Sequence, residues 1–315
     1  MSTFSFKFND IVHTLEFSPY DWCSQLVGVG TSNHVVVATC KFQAEFAEID
    51  GCEFEKLREF HHGTRVTCFA WSPETSLLIV PKTVRFCTGG GDKKLRLYYS
   101  DLKEEDHVEI LDGHTSYIND IKYEPQRGAS FASVSDDHTC RVWDGDGMQI
   151  AYFTLGSPGM SVCWHPEEPS KLMVAEKKGI IRFYNVQTQQ PIMSLDCGNM
   201  PLLCSDWCPG NSLRVAASTL SEIFLFNTAE SSHPEDSRQI HLNGSSVVRW
   251  SRSHSQLLAS VGRPGPQLKV TNISTGQTLL CSNQAILHGV SWHLRLPIVA
   301  VAGDRAVHFW LLDSM

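Results

Sequence analysis

The sequence predicts an all-β chain, a seven-bladed β-propeller whose ring is closed by its own N-terminal strand. Three observations predict it. An aromatic residue recurs at Phe17, Trp71, Tyr123, Trp164, Trp207, Trp250 and Trp292, each after a short apolar run, with steps of 54, 52, 41, 43, 43 and 42 residues. A period of roughly 40 to 45 residues with four short strands per unit marks a propeller blade. Ahead of the first unit, Phe4, Phe6 and Phe8 alternate with Ser5 and Lys7, a period-two strand with no blade of its own. The chain has 315 residues, 42% of them hydrophobic, which suits one closed body of about seven blades of roughly 42 residues. A single domain over 1–315 follows, with blades starting near 10, 64, 114, 158, 200, 245 and 286.

Blade one is followed by a long stretch, Cys40 to Leu57, read as an insertion between its third and fourth strands. It carries five acidic and two basic residues together with Phe42, Phe46 and Ile49. Blade two holds a second insertion, Glu74 to Thr83, with the run Leu77-Leu78-Ile79-Val80-Pro81, of which Leu77, Leu78 and Ile79 are singled out. Insertions on a propeller map to surface loops, so these six apolar residues are candidate partner contacts. A longer hairpin folded back on the disc is the equally weighted alternative. Blade three is the clearest unit: Tyr117 to Tyr123, Ser130 to Ser135 and Thr139 to Asp144 read as strands, and Asp136-Asp137-His138 as the tight turn between the last two.

Blade three also contains His114, Ser133, Asp137 and Trp143. A buried carboxylate must be hydrogen-bonded, and an imidazole, a hydroxyl and an indole N–H can serve that network. The set resembles the structural tetrad of WD40 repeats. A Ser-His-Asp hydrolase is the rival reading, but no GxSxG elbow accompanies the serine. The same six-residue interval from Asp to an aromatic returns at Asp92 to Tyr98 and at Asp304 to Trp310. Blades two, three and seven are expected to share this turn. Blades four to six turn instead at Lys177-Lys178-Gly179, Ser221-Glu222 and Pro264-Gly265-Pro266 and are expected to rely on packing alone. Thr228 to Gln239 reads as a solvated linker. The segment 3–8 is expected to pair with Val307 to Leu312 and close the ring, which removes an exposed edge.

The remaining motifs point away from chemistry. Net charge is -8, against the basic stripe that nucleic-acid backbones require. Eleven cysteines show no recurrent pairing interval, so no disulfide partner is expected and a reducing compartment fits. Cys197, Cys204 and Cys208 lack a second ligand pair at zinc spacing. Gly89-Gly90-Gly91-Asp92-Lys93 lacks the Gly-Lys-Ser/Thr ending of a phosphate loop, and Gly28-x-Gly30 has no third glycine. His61-His62 has no HExxH context. No catalytic residue, metal, cofactor, signal peptide or membrane insertion is expected, and the sequons at Asn243 and Asn272 are expected to stay unused.

Four stretches carry a more specific resemblance: residues 60–75 (FHHGTRVTCFAWSPET), 86–102 (FCTGGGDKKLRLYYSDL), 132–144 (ASVSDDHTCRVWD) and 157–184 (SPGMSVCWHPEEPSKLMVAEKKGIIRFY). WD40 consensus does not account for Pro158-Gly159-Met160-Ser161 or Ala175-Glu176-Lys177. Together these stretches resemble the vertebrate 37-kilodalton WD-repeat nucleoporin family, from about residue 10 to the C-terminus and most strongly over 60–185. The resemblance implies a scaffold subunit of the Y-shaped outer ring of the nuclear pore complex. It further implies docking on the 160-kilodalton nucleoporin with other outer-ring nucleoporins, location at the nuclear envelope, and a kinetochore role in chromosome segregation in mitosis. Two other classes are kept open. One is a substrate-recruiting adaptor of a cullin-type ubiquitin ligase, which resembles its relatives in a blade-ending Trp-Asp-x-Arg. Here Trp143-Asp144 continues into Gly145-Asp146. The other is a chromatin peptide reader, which needs a ring of one charge sign at the channel mouth.

Overall fold

The computed structural model describes residues 2–103, 106–126, 128, 130–262, 265–284 and 288–312. They form seven four-stranded antiparallel sheets, and the only helix among them is the 3-10 turn Asp21–Cys23. Each sheet is a meander, lettered a to d from the centre outward. The inner strands are Val12–Phe17, Val66–Trp71, Ile118–Tyr123, Gly159–Trp164, Leu202–Trp207, Ser245–Trp250 and Val290–Trp292. These touch one another around the ring, and the seventh returns to the first. Each ends on its aromatic residue, so the sequence period is the blade period.

Burial peaks at the b strands and is least at the rim. The b strands Leu26–Thr31, Leu257–Gly262 and Ile298–Gly303 are buried at every position. The d strands His107–Leu111 and Gln190–Asp196 are mostly exposed. A sheet buried on both faces reads as a continuous apolar run, whereas one face in water restores alternation. Gly28, in strand b of blade one, has a packing reason: a Cβ there would lie 2.3 Å from Phe69 Cζ of blade two.

The N-terminal strand Ser2–Lys7 pairs antiparallel with Ala306–Leu311, with Phe4 opposite Phe309 and Phe6 opposite Val307. It supplies strand d of blade seven. Phe6 stacks on Phe54 at 4.8 Å and meets Phe309 edge-on at 5.9 Å, which ties blade seven to blade one.

Several expectations change. The Cys40–Leu57 stretch is largely regular strand, since strand c of blade one runs His34–Phe42 and strand d Cys52–His61. The connecting loop is therefore only 43–51. Thr228 to Gln239 contains the short outer strand Asp236–Arg238, so it is not merely a linker. Pro264 and the blade start near 286 lie outside the described residues.

Candidate interaction surface

Blade three brings its four predicted residues together. Trp143 Nε1 donates to Ser133 Oγ at 2.9 Å, and Ser133 meets His114 Nε2 at 2.8 Å. His114 Nδ1 lies 2.9 Å from Asp137 Oδ2. Asp137 also accepts from the Thr115 N–H at 2.9 Å, the Thr139 N–H at 3.0 Å and the Thr139 hydroxyl at 2.6 Å. A neutral imidazole protonated on Nδ1 satisfies this chain: the serine hydroxyl donates inward and the imidazole N–H donates to the carboxylate. Burial lowers the His114 pKa against the opposing pull of Asp137. Burial also opposes ionisation of Asp137, but hydrogen bonds from Thr139, Thr115 and His114 hold it below the usual carboxylate range. The serine is already occupied by an indole and an imidazole inside the core, a structural arrangement.

The other predicted turn pairs do not bond within themselves. Asp92 takes a bidentate guanidinium from Arg96 at 3.0 and 2.7 Å, while the Tyr98 hydroxyl donates to the His61 carbonyl at 3.3 Å. Asp304 is exposed at φ 44° and offers its carbonyl to Val12 N–H, and Trp310 is packed in the core. Blades four and six have polar networks after all. Glu176 is fully buried, accepts from the Gly156 N–H at 2.7 Å, and pairs with Arg182 and Lys178. His241 Nε2 meets Ser260 Oγ at 2.8 Å, and Ser260 holds in its sheet the place of Ser133. These carboxylate and imidazole positions escape a search keyed to an Asp six residues before an aromatic.

In a meander, loops a–b and c–d share one face of the disc and loops b–c and d–a the other. The two singled-out segments therefore share a face, since 43–51 joins c to d in blade one and 72–83 joins a to b in blade two. The six candidate contacts divide there. Phe42 is buried between Phe17, Phe309 and His293 and is withdrawn as a contact. Its strand faces the N-terminal phenylalanines, which its neighbours in sequence do not reveal. Leu77 is half-buried against the core of blades one and two, and Ile49 is half-buried. Leu78, Ile79 and Phe46 are exposed, at 73%, 68% and 38%.

Val80, read in the same run but not named as a contact, is 80% exposed, and sequence reasoning missed one further member of this face, Trp22 at 43% exposure. Trp22 donates its indole N–H to the Thr75 carbonyl at 2.8 Å and stacks on Tyr20 at 5.1 Å. That bond seats the blade-two loop on blade one. On the other side, Arg295 binds Asp21 at 3.1 Å, and Glu45 approaches the buried His293 at 3.8 Å. Blades seven, one and two thus present one braced platform with an apolar crest at Leu78, Ile79 and Val80.

Comparison with known proteins decides the family. Residues 54–98 and 105–144 match the model described as WD domain, G-beta repeat. Over 309 residues the chain is 42% identical to Nucleoporin Nup37 of Homo sapiens, covering 96% of this chain and 95% of that protein. The Mus musculus Nucleoporin Nup37 is 43% identical over the same shares, and that of Drosophila melanogaster 32% identical over 97% of this chain and 96% of its own. The chain belongs to the Nup37 family of nucleoporins. For this Nup37-family chain the matched repeats are offset from the blades. Each match begins within or just before a d strand and ends on strand c of the next blade, the stagger that obliges Ser2–Lys7 to complete blade seven. Among the described residues no group of three or more His, Cys, Asp or Glu could hold a metal ion. No helix there is long and apolar enough to cross a membrane.

Proposed function

We propose that the protein is a scaffold subunit of the outer-ring, Y-shaped subcomplex of the nuclear pore, with a second station at kinetochores in mitosis. Its partner is the 160-kilodalton nucleoporin, held with other outer-ring nucleoporins, and its contribution to mRNA and protein transport is architectural. The observation that carries this reading is the identity with Nucleoporin Nup37 over nearly the full length of both chains. The platform of blades seven, one and two is the proposed contact face, with Leu78, Ile79 and Val80 as its anchors. Three contiguous exposed aliphatic side chains on a braced loop are the type of feature that interfaces bury. The central channel favours this over the chromatin-reader alternative, since its wall mixes Glu16, Lys122, Asp206 and Arg249 where a histone or phosphopeptide reader needs one sign.

The test is affinity purification of the tagged full chain from nuclear envelopes, as wild type and as the Leu78→Ser/Ile79→Ser/Val80→Ser variant. Recovery of outer-ring nucleoporins with the wild type, reduced at least tenfold with the variant, is expected. A wild type that brings down none of them overturns the assignment. A variant that recovers them fully moves the contact to another face.

A further inference from the structure

The two faces of the disc differ in charge. Among the described residues, the a–b and c–d loops carry thirteen acidic and four basic residues, whereas the b–c and d–a loops carry seven and six. The net charge of -8 is thus concentrated on the face that holds the platform. Strand-borne cations offset part of it: Arg58 pairs with Asp106, Arg85 with Glu74 and Lys171 with Glu168. An excess of six negative charges remains in those loops. The channel beneath does not cancel it, since Glu16, Asp120 and Asp206 are set there against Lys122 and Arg249.

The apolar crest stands inside this acidic field. Leu78, Ile79 and Val80 protrude from the loop 72–83, whose base is held by the Trp22 indole and by the Ser76–Thr83 bridge. On the blade-one side of the face, Glu48 and Asp50 are exposed in the loop 43–51. On the other side, Arg85 joins Glu74 of the crest loop to Asp146 and to the Gly145 carbonyl of blade three. That ties the loop 145–148, with its exposed Asp146, to the crest loop. Lys82 is the one basic residue within the crest loop.

We infer that the platform docks into an apolar groove of a partner polypeptide whose rim is basic. The crest enters the groove, and Glu48, Asp50 and Asp146 meet Lys and Arg side chains around it. This deepens the contact face proposed above and rests on it. A protruding aliphatic knob needs a concave acceptor to be buried. Phosphate backbones and anionic lipid headgroups carry the sign of this face and are repelled by it. A second copy presenting the same face is repelled for the same reason. Opposite charges around an apolar anchor speed encounter and reject wrong partners, while the anchor supplies most of the affinity. The opposite face is nearly neutral, so docking is one-sided.

The test purifies the tagged full chain with its bound proteins from nuclear envelopes and couples carboxylates to lysines with a zero-length carbodiimide. Crosslinks from Glu48, Asp50 or Asp146 to lysines of a bound protein are expected. Glu48→Lys/Asp50→Lys/Asp146→Lys should lower recovery of that protein at least tenfold in about 0.15 M salt, since like charges then face each other. Its thermal midpoint should stay unchanged, because all three side chains are exposed. Lys177→Glu/Arg305→Glu, on the opposite face, should leave recovery intact. Crosslinks arising only from the opposite face, or full recovery with the triple charge swap, would overturn the inference. So would either rival occupant: phosphatidylserine vesicles, or a second copy in a sedimenting dimer, bound by the wild type and lost with Leu78→Ser/Ile79→Ser/Val80→Ser. Absence of outer-ring nucleoporins among the recovered proteins defeats the nuclear-pore reading alone, and the crosslinks then decide this inference on whichever protein is bound.

Discussion

Blades three and four each bury a carboxylate near the end of strand b, and they satisfy it in opposite ways. Asp137 is enclosed by His114, Thr139 and the Thr115 N–H. Glu176 reaches outward to Arg182 and Lys178, which are 38% and 33% exposed. In blade three every partner is neutral and most are locked inside. In blade four the partners are cations that can turn to water when the carboxylate is gone. The two blades therefore fill a polar node at the same level with different residues.

The largest expected effect tests that difference. Asp137→Ala strands four neutral donors and should destabilise by about 3 to 5 kcal/mol, since each buried donor left unsatisfied costs about 1 to 3 kcal/mol and some of them can turn to water. Glu176→Ala strands chiefly the Gly156 N–H and should lose about 1 to 3 kcal/mol. Urea unfolding of both variants decides it, and equal losses would erase the distinction between the two nodes.

Acid sharpens the contrast next. Burial lowers the pKa of His62, His241 and His293 to about 4, and lowers that of His114. The unfolded chain takes up these protons near pH 6.5 while the native state refuses them. Stability should thus be full above pH 6.5 and fall steadily towards pH 4. Asp137, held below the usual range, adds its own loss only as pH falls beneath about 4. Denaturant midpoints measured from pH 4 to 8 should show this slope, and His241→Gln should flatten part of it.

The smallest effect separates the inner strands. Trp164→Phe removes a bond between blades four and three and should lose about 1 kcal/mol beyond packing. Trp250→Phe removes an indole N–H that has no partner among the described residues and should change stability by less than about 0.5 kcal/mol beyond packing. Thermal melts of the two variants, side by side, check the difference.

The aromatic period disclosed the blade count and the alternating phenylalanines disclosed the closure, because both follow from backbone geometry that repeats. The polar nodes were legible only where blade three keeps the Asp spacing. Glu176 fills equivalent space from another sequence position, whereas His241 keeps the 19-residue His-to-Ser interval of His114 and Ser133 without the Asp, so a search keyed to the Asp misses both. Phe42 misled because length alone cannot separate a long hairpin from a loop, and its burial comes from residues at the far end of the chain. The channel wall was within reach: on a strand whose aromatic faces the blade core, the preceding residue must face the opposite side. Reading one position back from each aromatic returns Glu16, Lys122, Asp206 and Arg249.

The closing pair, Ser2–Lys7 against Ala306–Leu311, also sets a timetable. A segment synthesised early must wait for nearly the whole chain before its partner exists, and such non-local pairing is slow to form. Until then strand c of blade seven is an open edge, and the phenylalanines that will cover blade one remain in water. This is the interval in which the protein is most prone to pair with the wrong strand, including the same strand of another copy. A tag fused to the N-terminal strand would lengthen that wait more than one fused to any loop of the disc.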